Sequence, residues 1–142
     1  MTTKVLKTEV LLFALLLGAC NGPLMTPGQD CQRCHREGGN AQPFSVSGTI
    51  FPGSASTDLE GLEGATVLLV DANDQQFALP TNAAGNFYTR EDVQLPVAVS
   101  VQIGSTTRHM EPLVTYGGCN RCHGLPPKEG ADGRAYVHPD TP

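Results

Sequence analysis

The run Ala65 to Asp71, ATVLLVD, decides the fold. It is apolar at nearly every position and reads as a strand buried on both faces or lying in the centre of a sheet. Working outward, Phe44 to Phe51, FSVSGTIF, places Phe44, Val46 and Ile50 on one face. The run Val97 to Ile103, VAVSVQI, alternates Val97, Val99, Val101 and Ile103 against Ala98, Ser100 and Gln102. Both have the period of a strand with a wet side. QQFALPT at 75–81 and GNFYTR at 85–90 supply two more strands, parted by the turn signals Asn82 and Gly85. No window carries a helical period. Short strands with Gly, Asn and Pro turns predict a mainly β chain, an antiparallel β-sandwich of about seven strands.

Composition agrees with one small folded domain carrying appendages. The chain has 142 residues, 39% apolar and 16% charged, with 16 Gly and 11 Pro, below the level of a disordered low-complexity sequence. Its net charge of −5, without a long basic run, gives no electrostatic reason to expect a nucleic-acid partner. The acidic stretch Asp71-Ala72-Asn73-Asp74 lacks the glycine and distal glutamate of an EF-hand loop and reads as a hairpin turn.

The wording of the strands is more specific than generic β. VSGTIF, LEGATVLLVD and FALPTNAAGNFYT together resemble the transthyretin-like sandwich of carboxypeptidase regulatory-like domains. The resemblance is carried by Gly48, by Gly64-Ala65-Thr66-Val67, and by Thr81 with Gly85 and Phe87, and it covers residues 44 to 103. It implies a noncatalytic packing or adhesion module, and the region holds no Ser/His/Asp set.

The beginning of the chain has the layout of an export signal. Lys4 and Lys7 give a positive start, Val10 to Leu17 is the apolar run VLLFALLL, and Gly18 and Ala19 lead into Cys20. The run is too short to span a bilayer. Leu17-Gly18-Ala19-Cys20 resembles the lipobox of bacterial lipoproteins, which implies a signal over 1–19 and a lipid anchor on Cys20. Asn21 is not the aspartate that commonly retains such proteins on the inner membrane, so the resemblance implies a cell-envelope protein anchored at the outer membrane.

Of five cysteines, Cys20 is thereby assigned, and the other four form two pairs: Cys31-Gln32-Arg33-Cys34-His35 and Cys119-Asn120-Arg121-Cys122-His123. Export places these thiols in an oxidising compartment unless a cofactor or metal claims them. Disulfides within each pair would close very short loops and add little stability by chain entropy. A thioredoxin-like dithiol would sit in alternating strands and helices, which do not follow either pair. A four-cysteine zinc site is a real alternative, because two Cys-x-x-Cys knuckles can complete a tetrahedron. Zinc leaves the histidines unexplained. Cys-x-x-Cys-His is the pattern of c-type haem attachment: two thiols form thioethers with the vinyl groups of one porphyrin, and the next imidazole reaches the iron. Through these residues the sequence resembles small multihaem c-type cytochromes, which implies two haems c, with Cys31, Cys34, Cys119 and Cys122 as thioether anchors and His35 and His123 as proximal iron ligands.

A second axial ligand would be histidine or methionine. His109, Met110 and His138 are the candidates, Met25 a weaker one, and the adjacent pair His109 and Met110 point to opposite faces if they lie in a strand. The expected organisation is a lipid-anchored first haem segment over 20–42, a sandwich over 43–111, and a second haem segment with a tail over 112–142. The flanks have few apolar side chains and cannot bury cores of their own. The expected role is electron transfer between redox proteins such as other cytochromes, without catalysis. The alternatives are a zinc-stapled adhesion or assembly lipoprotein and, in an open five-coordinate form, a peroxidase.

Overall fold

The computed structural model describes residues 24–138, so the signal and Cys20 lie outside the described residues. The chain is mainly β, with strands β1 (Val46–Thr49), β2 (Thr66–Val70), β3 (Gln76–Pro80), β4 (Asn86–Thr89), β5 (Ala98–Ile103) and β6 (Thr106–His109). They make two antiparallel sheets, β1-β4 and β3-β2-β5-β6. Among the described residues no helix is long and apolar enough to cross a membrane.

The register explains the core. Val67 pairs with Leu79 and Val101, and Leu69 with Phe77 and Val99, so β3, β2 and β5 share one apolar face, which Arg108 of β6 borders opposite Val101. Val46, Ile50 and Phe87 from the β1 and β4 region pack against it. Of the two alternatives read for β2, the centre of a sheet is the one observed; it is not buried on both faces, since Leu68 is half-buried and Val70 is 37% exposed. β2 is interior to its sheet, paired on both sides by hydrogen bonds, but one of its faces meets solvent. The alternation read for Val97 to Ile103 appears as expected, with Val97 and Val101 buried and Ala98 and Gln102 exposed.

At β1 the expected wet side is dry. All of Val46–Thr49 is buried, including Ser47 and Thr49, each 0% exposed. The reason is the C-terminal flank, which runs along β1 and closes it through isolated parallel bridges, Ser47 to Gly118 and Phe51 to Tyr136. The Ser47 N–H donates to Gly117 O at 2.8 Å and the Phe51 N–H to Ala135 O at 2.8 Å. An antiparallel bridge joins Val114 to Val97. Six strands and three bridges therefore stand where about seven strands were expected. The flank is too broken by Pro and Gly to run as a strand, and it contacts the sheets at single points instead.

This flank also lends the sandwich Val137, 1% exposed in the common core. The neighbouring Arg134, 4% exposed, donates from Nε to Ser56 O at 3.2 Å and from Nη1 to Gly28 O at 3.3 Å, and pairs with Asp58. Its guanidinium lies 4.6 Å from the Phe51 ring centroid. One side chain thus ties three loops together while satisfying its own donors.

The turn after β2 is fixed by Asp71, whose carboxylate accepts from the N–H groups of Asn73 at 2.8 Å, Gln75 at 2.9 Å and Gln94 at 3.1 Å. Burial pushes this carboxyl upward, but the N–H donors of Gln75, Gln94 and Asn73 outweigh it and hold it below its ordinary value. A depressed native pKa contributes stability that is present above the unfolded value and is lost as pH falls through the native one. Chemical denaturation should therefore show stability declining on acidification below pH about 4, with a shallower decline in Asp71→Asn. An identical pH dependence in the two proteins would contradict this role for Asp71.

Candidate functional site

The two cysteine pairs fold alike. Cys31–Arg33 and Cys119–Arg121 are single 3₁₀ turns. In each, the second cysteine's N–H donates to the first cysteine's carbonyl at 3.2 Å, and the histidine's N–H donates to that same carbonyl, at 2.9 Å for His35 and 3.0 Å for His123. Asp30 caps the first turn, accepting from the Gln32 N–H at 3.1 Å, whereas Gly118 stands at the equivalent place with no side chain to do so.

Both imidazoles are oriented in the same way. His35 Nδ1 lies 2.8 Å from Gln42 O, and His123 Nδ1 lies 2.9 Å from Gly133 O. A carbonyl can only accept, so in each ring Nδ1 carries the proton. The lone pair is then on Nε2. A backbone carbonyl on Nδ1 is the usual means by which a protein fixes the tautomer and orientation of a metal-ligating histidine.

The turns are far apart in sequence, and β1 brings them together. Asn120, the first variable residue of the second motif and 4% exposed, accepts on Oδ1 from the Thr49 N–H at 3.1 Å. Its Nδ2 donates to Thr49 Oγ1 at 2.9 Å and to Gln29 O, just ahead of the first motif, at 2.8 Å. Thr49 Oγ1 also accepts from the Gly28 N–H at 3.0 Å and donates to Asn86 Oδ1 at 2.7 Å, which uses its whole hydrogen-bonding capacity.

Glycines permit the close approach. A Cβ on Gly118 would lie 2.8 Å from Gln32 Cγ and 2.9 Å from Asp30 Oδ1, and one on Gly48 would lie 2.9 Å from Cys119 Cβ. The Cys31 and Cys119 sulfurs are near enough to interact electrostatically. The buried Ser47 hydroxyl, which has no partner of ordinary hydrogen-bond geometry, faces Cys31.

Burial dominates the thiols. It pushes Cys119 up to about 12, and it raises Cys31 and Cys122 as well, the latter helped by Glu129. These three are free thiols, whereas Cys34 is disulfide-bonded. No group of three or more His, Cys, Asp or Glu side chains converges as a metal cage among the described residues.

Beside the second motif is a cavity of about 400 Å³, with a largely apolar wall that includes Ile50, Val99 and Leu113. Cys119, Cys122 and His123 open onto it, and so do His109 and Met110, at and just past the end of β6. Met110 is 37% and Leu113 58% exposed, a partly open apolar rim. His138 is exposed and Met25 half-buried, and neither lines this cavity. The first motif does not share it; the His35 ring lies against Phe44 instead.

No protein family, curated protein or solved structure matches the chain. The reading therefore rests on the residues themselves. Sequence reasoning singled out the cysteines and histidines but not Asn120, Thr49 or Phe44. Asn120 stood in view between two ligand-type residues, and only its burial reveals its role.

Replacing Thr49 by Val keeps the shape and removes the hydroxyl, leaving Asn86, Asn120 and Gly28 short of a partner. The expected loss is about 3 kcal/mol of folding stability by denaturant titration. An unchanged midpoint would show that the network does not hold the motifs.

Proposed function

We propose that the chain is a dihaem c-type cytochrome that passes single electrons between redox proteins of the bacterial cell envelope. Cys31 and Cys34 anchor one haem with His35 as proximal ligand, and Cys119, Cys122 and His123 do the same for the other. When bound, each haem supplies a reversible one-electron couple. The observation that carries this reading is the matched setting of the two imidazoles, each with Nδ1 on a backbone carbonyl and Nε2 left for a metal.

The chain's own residues fit the task. The cavity beside the second motif offers an apolar seat for a flat macrocycle, with His109 and Met110 on its lining as candidates for the distal position. His138 remains a candidate for the other iron. The sandwich, which resembles carboxypeptidase regulatory-like domains, serves as scaffold. Asn120 and Thr49 place the two attachment points side by side, which favours electron exchange within one chain. Cys20 supplies the lipid anchor, and the partners are other cytochromes or comparable redox proteins.

The first motif needs both of its sulfurs. Attachment there requires Cys34 to enter as a thiol, so a thiol reductant must first open the disulfide it forms, by exchange, before the thioether can be made. The zinc reading gains no comparable support, because its four cysteines form no convergent set among the described residues and it leaves the two oriented imidazoles without a role.

Intact mass and absorption spectra of protein produced with the c-type haem maturation machinery test this. The expected result is a red protein carrying two haem additions, with peptide mapping placing them on 31–35 and 119–123. A colourless chain lacking any haem mass would overturn the proposal.

A further inference from the structure

The two motif histidines share a hydrogen-bond pattern but differ in what covers their rings. His35 is stacked on Phe44 with ring centroids 3.8 Å apart and planes 9° from parallel. Phe44 in turn stacks on Tyr88, at 4.3 Å and 18°. The Arg90 guanidinium stands 5.3 Å from the Phe44 centroid and 5.7 Å from that of Tyr88. Among the described residues no aromatic ring stacks on His123.

Phe44 is 5% exposed yet does not belong to the apolar cluster that forms the sandwich core. Its ring is stacked on those of His35 and of Tyr88, the latter carried by β4. Its backbone is also tied to the motif, the Phe44 N–H donating to His35 O at 3.0 Å. An ordinary core phenylalanine has no need of either feature.

Resting on the dihaem reading, we propose that Phe44 is a positioning residue that fixes the plane of the His35 imidazole, so that the first haem site carries an orientational lock that no aromatic ring among the described residues supplies to His123. Stacking acts on the face of the ring, while the Nδ1 proton and the Nε2 lone pair lie in its plane. Face, Nδ1 and Nε2 are therefore used independently: Phe44 holds the first, Gln42 O the second, and the third stays open to a metal. A coordinated imidazole keeps one main freedom, rotation about the bond from nitrogen to metal. A hydrogen bond to Nδ1 limits that rotation weakly, because carbonyl acceptors tolerate a broad range of approach. A ring packed flat against the imidazole opposes it directly. The plane so fixed sets how the ligand π orbitals align with the d orbitals of a low-spin ferric iron, and hence the magnetic anisotropy of that iron.

The test compares holoprotein of the natural sequence with Phe44→Leu and Phe44→Tyr, after mass measurement has established haem loading. Low-temperature electron paramagnetic resonance of the oxidised protein is the readout. The natural protein should give one narrow low-spin signal, from the locked site, and one broader signal. In Phe44→Leu the narrow signal should shift and broaden while the other stays in place, and Phe44→Tyr should restore it. Tyr88→Leu, at a side chain 42% exposed, removes the support behind Phe44 with little risk to folding and should move the same signal by less. Unchanged spectra in Phe44→Leu and Tyr88→Leu, with both haems attached, would overturn the inference while leaving the cytochrome reading intact. Equal movement of both signals would also overturn it, and a natural chain that attaches no haem would remove the inference together with the reading it rests on.

Discussion

The hydroxyl of Thr49 and the side-chain amide of Asn120 hold this architecture together. Both are buried, and each satisfies the other while reaching a third segment: Thr49 reaches Gly28 and Asn86, and Asn120 reaches Gln29. A buried polar network is favourable only when every member is paired. Here the pairing demands that the N-terminal segment, β1, β4 and the second cysteine motif be in place at the same time. The cost of breaking it is therefore shared by regions distant in sequence. The flanks, which lack cores of their own, are ordered by this constraint, by the bridges along β1 and by Arg134.

The same constraint has a chemical consequence. Two pentapeptides with the same backbone hydrogen bonds within the turn end up against one strand of a small sandwich, with glycines at 48 and 118 leaving room for the close approach. Their surroundings then diverge. The second motif opens on an apolar cavity shared with His109 and Met110, while His35 of the first is packed in an aromatic column ending at exposed Tyr88. Under the proposed function, matched histidines in different surroundings would be a means of giving two like cofactors unlike properties.

Much of the fold was legible because strand periodicity is a local signal. Val97 to Ile103 reads correctly from alternation alone, and the turn at Asp71 from its Asn and Asp residues. The error at β1 and the alternative left open at β2 share a cause. Whether the second face of a strand is wet depends on what lies over it, and neither the flank covering Ser47 and Thr49 nor the bare face at Val70 is encoded within the strand. The site divided similarly. Cysteine and histidine spacing announced the motifs, because the chemistry fixes that spacing. Asn120, Thr49 and Phe44 were silent, since their partners are brought by topology and a lone buried amide or ring has no sequence signature.

The central claim is that the protein holds its two cysteine motifs side by side, which under the proposed dihaem function would bring two haems close enough to interact. Circular dichroism in the Soret region of the fully loaded protein tests this most directly, because transition dipoles of neighbouring haems couple. The account predicts a bilobed couplet in the natural protein, collapsing toward a single band when Thr49→Val or Asn120→Ala loosens the clamp. A single simple band from a natural protein that demonstrably carries both haems would contradict it.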